Sequence, residues 1–142
     1  TFSDNKARFG GGLSLNSKVI TTIDPSVDFT FVGNSASVSG GSLYVVNMGG
    51  EFDPLTITDV IFVSNSALDG GVIHAIGSFI EFDGCYFIGN KAFSFGGALS
   101  SASGKYYIYN SAFEGNSAGT GGALRLAGDT FIKNCSFVEN TS

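Results

Sequence analysis

The chain has 142 residues, with 21 glycines, 14 phenylalanines and a net charge of −5 at pH 7. Seven scattered basic residues against twelve acidic ones exclude the basic surface that binding to nucleic acid requires. No apolar run approaches the roughly 18 residues of a membrane-spanning helix, so we expect no membrane insertion by this segment.

One unit recurs along residues 1–142, which we expect to form a single domain-like segment. The unit reads F-x-x-N-[S/K]-A, then two or three residues, then a glycine pair. Because the chain begins and ends inside a copy, we expect it to be a fragment of a longer chain. The phenylalanine recurs in steps of 29, 31, 25, 26 and 24 residues, at Phe2, Phe31, Phe62, Phe87, Phe113 and Phe137. Such self-similarity indicates a repeat architecture.

Apolar residues alternate with period two inside each copy, as in Leu124-Arg125-Leu126. Period two indicates β-strands, whereas helical repeats carry a helical period. A unit of about 25 residues with three short strands and three turns is one coil of a parallel β-helix. We therefore predict an all-β, right-handed parallel β-helix of about five coils of 24–31 residues. Like residues then stack about 4.8 Å apart.

Aligning the copies predicts three strands per coil. The first strand follows the glycine pair and buries Leu13, Leu43, Ile73, Leu99 and Leu124. The second strand carries Leu55 and Ile57, Ile80 and Phe82, Tyr106 and Ile108, Thr130 and Ile132. The third carries the repeat phenylalanines. Their burial, at about 1.5–3 kcal/mol each, is expected to be the main source of stability.

An asparagine column ends the third strand. Asparagine tolerates a left-handed backbone, and stacked amides form hydrogen-bonded ladders. The alanine two residues later is expected at a tight corner, and the glycine pair should supply a positive φ or a close backbone approach. The predicted structural residues are Phe31, Asn34, Phe62, Asn65, Phe87, Asn90, Phe113, Asn116, Phe137 and Asn140.

Extra residues lengthen the first two coils, in 16–28 and 47–54. Both stretches contain Asp-Pro, which is typical of loops. Insertions in a solenoid project from one face, which is often functional. Tolerated surface variation is the alternative interpretation.

The repeat resembles that of the polymorphic membrane proteins of chlamydiae, which pair F-x-x-N with G-G-A-[I/L]. Phe87 to Asn90 with Gly96 to Leu99 matches both motifs, as does Phe113 to Asn116 with Gly121 to Leu124. Earlier copies read GGGL, GGSL and GGVI at the second motif. Similar repeats occur in extracellular proteins of protists and algae. In the chlamydial family the resemblance implies a surface-exposed β-helical passenger with adhesive roles.

No catalytic, cofactor-binding or metal-binding set emerges from the columns. The outward column of the first strand, Ser14, Tyr44, His74, Ser100 and Arg125, contains no acid. Glu81 and Asp83 share an outward face with threonines and tyrosines, so no second acidic pair stacks beside them. His74, the single histidine, is expected to be an exposed ladder residue. We therefore predict a protein that is not an enzyme and needs no cofactor.

Cys85 and Cys135 share one inward column with Ser111 between them. Two coils of rise place them about 9.6 Å apart, whereas a disulfide needs Cα atoms within about 7 Å. We predict two buried free thiols.

Two outward blocks are too apolar for a solvated face, and contiguous exposed apolar patches mark interfaces. One comprises Ile61, Val63, Tyr86 and Ile88; the other comprises Tyr107, Tyr109 and Phe131. The alternative is that the chain's own inserts cover them.

These features favour a non-enzymatic extracellular or cell-surface module, a rigid scaffold for adhesion or assembly. Its partner is expected to be a protein: a neighbouring domain, another chain or a host receptor. One alternative is a carbohydrate-active β-helix, either a degenerate polysaccharide-degrading enzyme or a glycan binder that uses Tyr107, Tyr109 and Phe131. Another is a structural subunit of an extracellular filament.

Overall fold

The computed structural model describes residues 1–16 and 29–142. The regular secondary structure of this part of the chain is all β-strand, and parallel strands stack as a β-solenoid of about five turns. The predicted parallel β-helix is thereby confirmed. No helix in the described ranges is long and apolar enough to cross a bilayer.

Four parallel sheets run along the solenoid, and we name each after its dominant residue. The Phe sheet contains β1 (Phe2–Ser3), β4 (Thr30–Val32), β8 (Ile61–Val63), β12 (Tyr86–Ile88), β16 (Ala112–Glu114) and β19 (Ser136–Val138). The Ala sheet contains β2 (Lys6–Phe9), β5 (Ser35–Ser39), β9 (Ser66–Asp69) and β13 (Lys91–Phe95). The Leu sheet contains β3 (Leu13–Asn16), β6 (Leu43–Val46), β10 (Ile73–Ile76), β14 (Leu99–Ser101) and β17 (Leu124–Arg125). The Tyr sheet contains β7 (Leu55–Thr58), β11 (Ser78–Asp83), β15 (Gly104–Tyr109) and β18 (Asp129–Lys133).

The prediction of three strands per coil is wrong, because the Ala sheet adds a fourth. Its alanines do not turn a tight corner. Ala36 and Ala92 lie within strands and point into the core, 6% and 2% exposed. The sequence concealed this sheet because either two or three residues separate the alanine from the glycine pair. The unequal spacing produces register shifts between its neighbouring strands.

The predicted register is confirmed in the other three sheets. Ile73 pairs with Leu43 on one side and with Leu99 on the other. Ile80 pairs in the same way with Leu55 and Tyr106. Each coil therefore places the same repeat position in the core, and most of these residues are buried.

A column of phenylalanine rings fills one side of the core. Phe31, Phe62, Phe87 and Phe113 are completely buried. The rings of Phe87 and Phe113 stack with centroids 4.5 Å apart and planes 2° from parallel. The stack continues in both directions to Phe2 and Phe137. Ring contacts of this kind contribute about 0.5–1.5 kcal/mol per pair beyond the burial of area.

A ladder of asparagine amides lies beside the ring column. Asn90 donates from its backbone nitrogen and from Nδ2 to Oδ1 of Asn116, both at 3.0 Å. Its Nδ2 also donates to the carbonyl oxygen of Phe62 at 3.0 Å. Each amide therefore joins three successive coils, and the pattern repeats from Asn5 to Asn140. The side chains of four ladder residues are fully buried: Asn34, Asn65, Asn90 and Asn116. Their amide groups therefore need these hydrogen-bond partners within the protein.

The left-handed residue at this corner is not the asparagine. It is the residue before it in every copy: Asp4, Gly33, Ser64, Gly89, Gly115 and Glu139. The sequence expectation placed this conformation on asparagine because asparagine tolerates it. The side chain is instead occupied by the ladder, and its neighbour makes the turn.

The glycine pair shows both predicted features, a positive φ angle and a close backbone approach. The first glycine has positive φ in every copy, for example +64° at Gly70. The second is packed against the next coil, since a Cβ on Gly71 would overlap the carbonyl oxygen of Gly97. Neighbouring coils can approach closely at this corner only because side chains are absent.

The insert at residues 47–54 forms a small hairpin beside the Tyr sheet. Gly50 and Asp53 exchange backbone hydrogen bonds of 2.8 and 3.2 Å. Lys105 anchors the hairpin through a 3.0 Å ion pair with Glu51. Most of the other predicted insert, residues 17–28, lies outside the described residues.

Replacing one ladder amide should destabilise the fold. Asn90→Ala removes the acceptor of the Asn65 backbone N–H and Nδ2 groups, and it removes one donor to the Phe62 carbonyl in the core. At about 1–3 kcal/mol for each unsatisfied group, we expect a loss of about 2–5 kcal/mol in the free energy of unfolding. Urea denaturation measures this change.

Asn110→Gly is the matched control at an exposed asparagine column. Glycine accepts the φ of +49° at Asn110, so the change should stay within about 0.5–1 kcal/mol. Equal losses for the two variants would contradict a special role of the buried ladder.

Candidate contact surfaces

An apolar patch covers the outer face of the Phe sheet on β8 and β12. Ile61 pairs with Tyr86, and Val63 pairs with Ile88, so four side chains form a two-by-two array. Ile61 is 39%, Tyr86 50% and Ile88 36% exposed. The 47–54 hairpin packs beside a different sheet and does not cover this array. We call these four residues the Phe-sheet patch.

The adjacent Ala sheet adds two exposed apolar side chains that the sequence reasoning missed. Leu68 and Phe93 follow the repeat alanine in the same two coils, and Phe93 is 79% exposed. They escaped notice because this segment was interpreted as a corner without a strand. Their exposed side chains extend the apolar character of these coils around the asparagine corner.

Aromatic rings line the outer face of the Tyr sheet. Tyr107 and Phe131 are paired in register, and their rings stack with centroids 5.3 Å apart and planes 14° from parallel. Tyr109 lies 6.3 Å from Tyr107 on the same strand. Phe131 is half exposed, and both tyrosines are partly exposed. We call these three residues the aromatic platform.

A polar groove adjoins this platform at the corner between the Tyr and Phe sheets. It has a volume of about 320 Å³ and is lined by Asp83, Tyr109, Asn110, Lys133 and Asn134. Asn110 Nδ2 donates to Asp83 Oδ1 at 2.7 Å, and Asn134 Nδ2 donates to Asn110 Oδ1 at 3.3 Å. The sequence did not indicate this groove, because its residues come from three different coils.

Phe52 is the most exposed large apolar residue of the described ranges, at 97%. It lies at the tip of the 47–54 hairpin, between Glu51 and Asp53. The sequence reasoning did not single it out. The sequence signal that could have identified it is an aromatic residue within a loop that contains Gly-Gly and Asp-Pro.

His74 is partly buried rather than fully exposed. Its ring stacks on Tyr44 at 6.0 Å with planes 4° from parallel, and Ser100 flanks it in the next coil. Burial lowers the pKa of His74, Arg125 lowers it further, and the carboxylate of Asp69 opposes the shift. Nδ1 of His74 and Oδ1 of Asp69 are both buried without hydrogen-bond partners in the described residues.

The two cysteines are free, as predicted, but only Cys85 is buried, and the prediction of a buried thiol is wrong for the partly exposed Cys135. Cys85 is fully buried, and its backbone nitrogen donates a 3.1 Å hydrogen bond to Ser111 Oγ. Burial raises the pKa of the Cys85 thiol to about 12. This thiol is therefore protonated at neutral pH and acts as a small apolar side chain.

Groups of three or more His, Cys, Asp or Glu side chains that could hold a metal ion are absent from residues 1–16 and 29–142. Glu81 pairs with Thr56 and Tyr107, and Asp83 pairs with Thr58 and Tyr109. The described residues thus contain no stacked carboxylate pairs on the Tyr sheet.

Comparison with known proteins finds a similar bacterial protein. The chain is 31% identical, over 147 aligned residues, to a probable outer membrane protein PmpG of Chlamydia muridarum. The alignment covers 98% of the chain and 15% of the relative. This similarity and the β-solenoid together fit a repeat of the polymorphic membrane protein type. No protein-family model and no solved structure matches the chain.

The similarity to PmpG covers both the repeat motifs and the stacked coils of this chain. The aligned region spans nearly all of the chain and therefore nearly all of its stacked coils. The chain spans about 15% of the length of PmpG.

Acidification should destabilise the fold through His74. The unfolded chain takes up a proton near pH 6.5, whereas the folded chain resists it because burial lowers the pKa. His74 should therefore make its full contribution to the free energy of unfolding above about pH 6.5. This contribution should be lost as the pH falls toward the pKa of the folded state.

His74→Gln should reduce this loss, since glutamine carries no titrating group. Denaturation at pH 7.5 and pH 5.5 tests the difference between the two proteins. Identical pH dependence in both would show that His74 titrates equally in the folded and unfolded states.

Proposed function

We propose that the chain is a non-enzymatic, rigid segment of a cell-surface protein that presents lateral surfaces for adhesion. The similarity to an outer membrane protein over 98% of the chain is the observation that carries the surface location. The repeat type and the solenoid fold agree with a scaffold role.

Rigidity follows from the way the coils are joined. Stacked rings, shared amides and glycines in close approach all connect each coil to the next. A solenoid of this kind holds its outward side chains at fixed spacing along the axis. It therefore offers a contact surface that loses little conformational entropy when a partner binds.

The Phe-sheet patch is the proposed adhesive surface. Its partner is a protein whose contact area has an apolar centre and a basic edge. On this chain, the apolar centre of the contact consists of Ile61, Tyr86 and Ile88. Glu114 pairs in register with Ile88 and places an exposed carboxylate at the border, which favours a cationic partner residue there.

Polar substitution of the patch should remove adhesion while preserving the fold. In the full-length protein, the double variant Ile61→Ser, Tyr86→Ser should bind target cells at least about tenfold more weakly, because it loses exposed apolar area. Its free energy of unfolding should change by about 1 kcal/mol or less, since both residues are on the surface.

Phe52→Ser is the matched control, as it removes an exposed aromatic ring from the 47–54 hairpin, which lies beside a different sheet. It should bind cells like the unchanged protein. If the double variant folds and retains every association, the patch is not an interface. Loss of self-association with cell binding intact would favour the filament alternative.

A further inference from the structure

We propose that the 47–54 hairpin of one copy of this chain docks on the Ala sheet of a second copy. The docking surface consists of Leu68, Lys91 and Phe93, which we call the Ala-sheet face. The hairpin ends in an aromatic residue flanked by acids, and the face combines apolar side chains with a cation. Neither surface includes a residue of the Phe-sheet patch, so this contact is separate from the proposed adhesive surface.

Phe93 forms the apolar centre of the Ala-sheet face and is 79% exposed. Leu68, 39% exposed, is its neighbour in the preceding coil, because the two residues follow alanines that pair in register. The coils beyond them have only small residues at the equivalent position, Ser37 and Gly119. A Cβ on Gly119 would lie 3.0 Å from the Phe93 carbonyl oxygen, so the two backbones are adjacent and no side chain of that coil covers the ring. The ring is therefore accessible to a side chain from another molecule.

The tip of the hairpin presents Phe52, which is 97% exposed. Like Phe93, it stacks on no other ring in the part of the chain that the structure describes. Backbone hydrogen bonds between Gly50 and Asp53 close the hairpin, and the ion pair of Glu51 with Lys105 anchors it to the Tyr sheet. A tip that is held in place before association loses little conformational entropy on docking.

The two surfaces carry opposite charges beside their aromatic rings. Glu51 is used in the anchoring ion pair, whereas the exposed Asp53 carboxylate forms no ion pair among the described residues. Lys91 is exposed and precedes Phe93 by two positions on β13, and its ammonium group likewise has no carboxylate partner there. Packing Phe52 on Phe93 places Asp53 within reach of the long Lys91 side chain. An ion pair at the edge of an apolar contact selects its partner and its orientation.

The charges of the whole sheets favour the same pairing. Strands of the Ala sheet carry Lys6, Arg8 and Lys91 and a single carboxylate, Asp69, whose Oδ1 is buried. The hairpin and the Tyr sheet contain an excess of acids: Glu51, Asp53, Glu81, Asp83 and Asp129 against Lys105 and Lys133. Copies with a net charge of −5 repel one another in most orientations. The basic Ala sheet is therefore the side on which an acidic hairpin meets attraction.

This contact joins two different surfaces, so it is heterologous. Each copy offers its hairpin to one neighbour and its Ala-sheet face to another, and such contacts propagate from copy to copy. One small apolar contact with one ion pair is weak between freely diffusing molecules. Copies that are held on one surface have a high effective concentration, which favours the contact. This last step rests on the surface location in the proposed function.

Photo-cross-linking of the full-length protein tests the contact. The cross-linker p-benzoylphenylalanine replaces Phe52, and unlabelled copies are mixed with isotopically labelled ones so that links between copies are recognised by mass spectrometry. We expect mixed-isotope links to the peptide that contains Lys91 and Phe93. In the partner copy, Phe93→Ser should lower their yield about tenfold, because the contact loses its apolar centre.

Charge reversal tests whether the contact depends on the proposed ion pair. Asp53→Lys in the hairpin copy, or Lys91→Asp in the partner copy, should each lower the yield about tenfold, and combining the two should restore most of it. Glu114→Lys is the matched control, since it makes the same charge change at an exposed position of the Phe sheet, and it should alter the yield less than about threefold. Thermal denaturation verifies that each variant is folded.

Three results would overturn the proposal: absence of links between copies, links only to surfaces other than the Ala-sheet face, or no recovery when the reversed charges are combined. Loss of cell binding by Phe93→Ser without links between copies would assign the face to an outside partner and also reject it. The adhesion proposal fails or succeeds separately. Ile61→Ser, Tyr86→Ser should lose cell binding and keep the cross-link, whereas Phe93→Ser should lose the cross-link and keep cell binding.

Discussion

The buried asparagine ladder is the interaction on which the rest of the structure depends. Each amide bonds to the amide of the next coil and to a phenylalanine carbonyl of the previous one, so it can be satisfied only when neighbouring coils are in a single register. A slip by one residue would leave these amides unpaired in the core and turn the adjacent side chains to the opposite face. The phenylalanine three residues earlier is thereby placed on the ring column, and every outward column acquires its spacing from the same constraint.

Once register is fixed, the contact surfaces follow from differences between copies. The inward positions repeat, whereas the outward positions vary freely. Ile61 and Tyr86 become neighbours because they hold one repeat position in adjacent coils. Asp83, Tyr109 and Lys133 converge on the groove for the same reason. The scaffold thus converts residues about 25 apart in sequence into contiguous surfaces, which suits a protein that presents ligands along a rod.

Much of the fold was predictable because each repeat position sees the same surroundings in every coil. Alternating apolar residues gave the strands and their register, and the spacing of Cys85 and Cys135 excluded a disulfide. The Ala sheet was not predicted, since its variable length hides the period-two pattern and its strand pairing contains register shifts. Phe93 was missed with it. The patch and platform residues were identified as outward positions, but the groove was not, because its lining residues come from three different coils.

The sequence by itself determined that the chain repeats, that its strands are parallel and which residues fill the core. These properties depend on patterns within one copy and on their recurrence, both of which are local. Tertiary structure alone decided that Ser64 and Glu139, rather than asparagine, adopt the left-handed turn. It also decided that His74 is partly buried and that three coils share one polar groove. Burial, backbone strain and the joining of side chains from separate coils arise only when the coils stack, since none of them is a property of a single repeat.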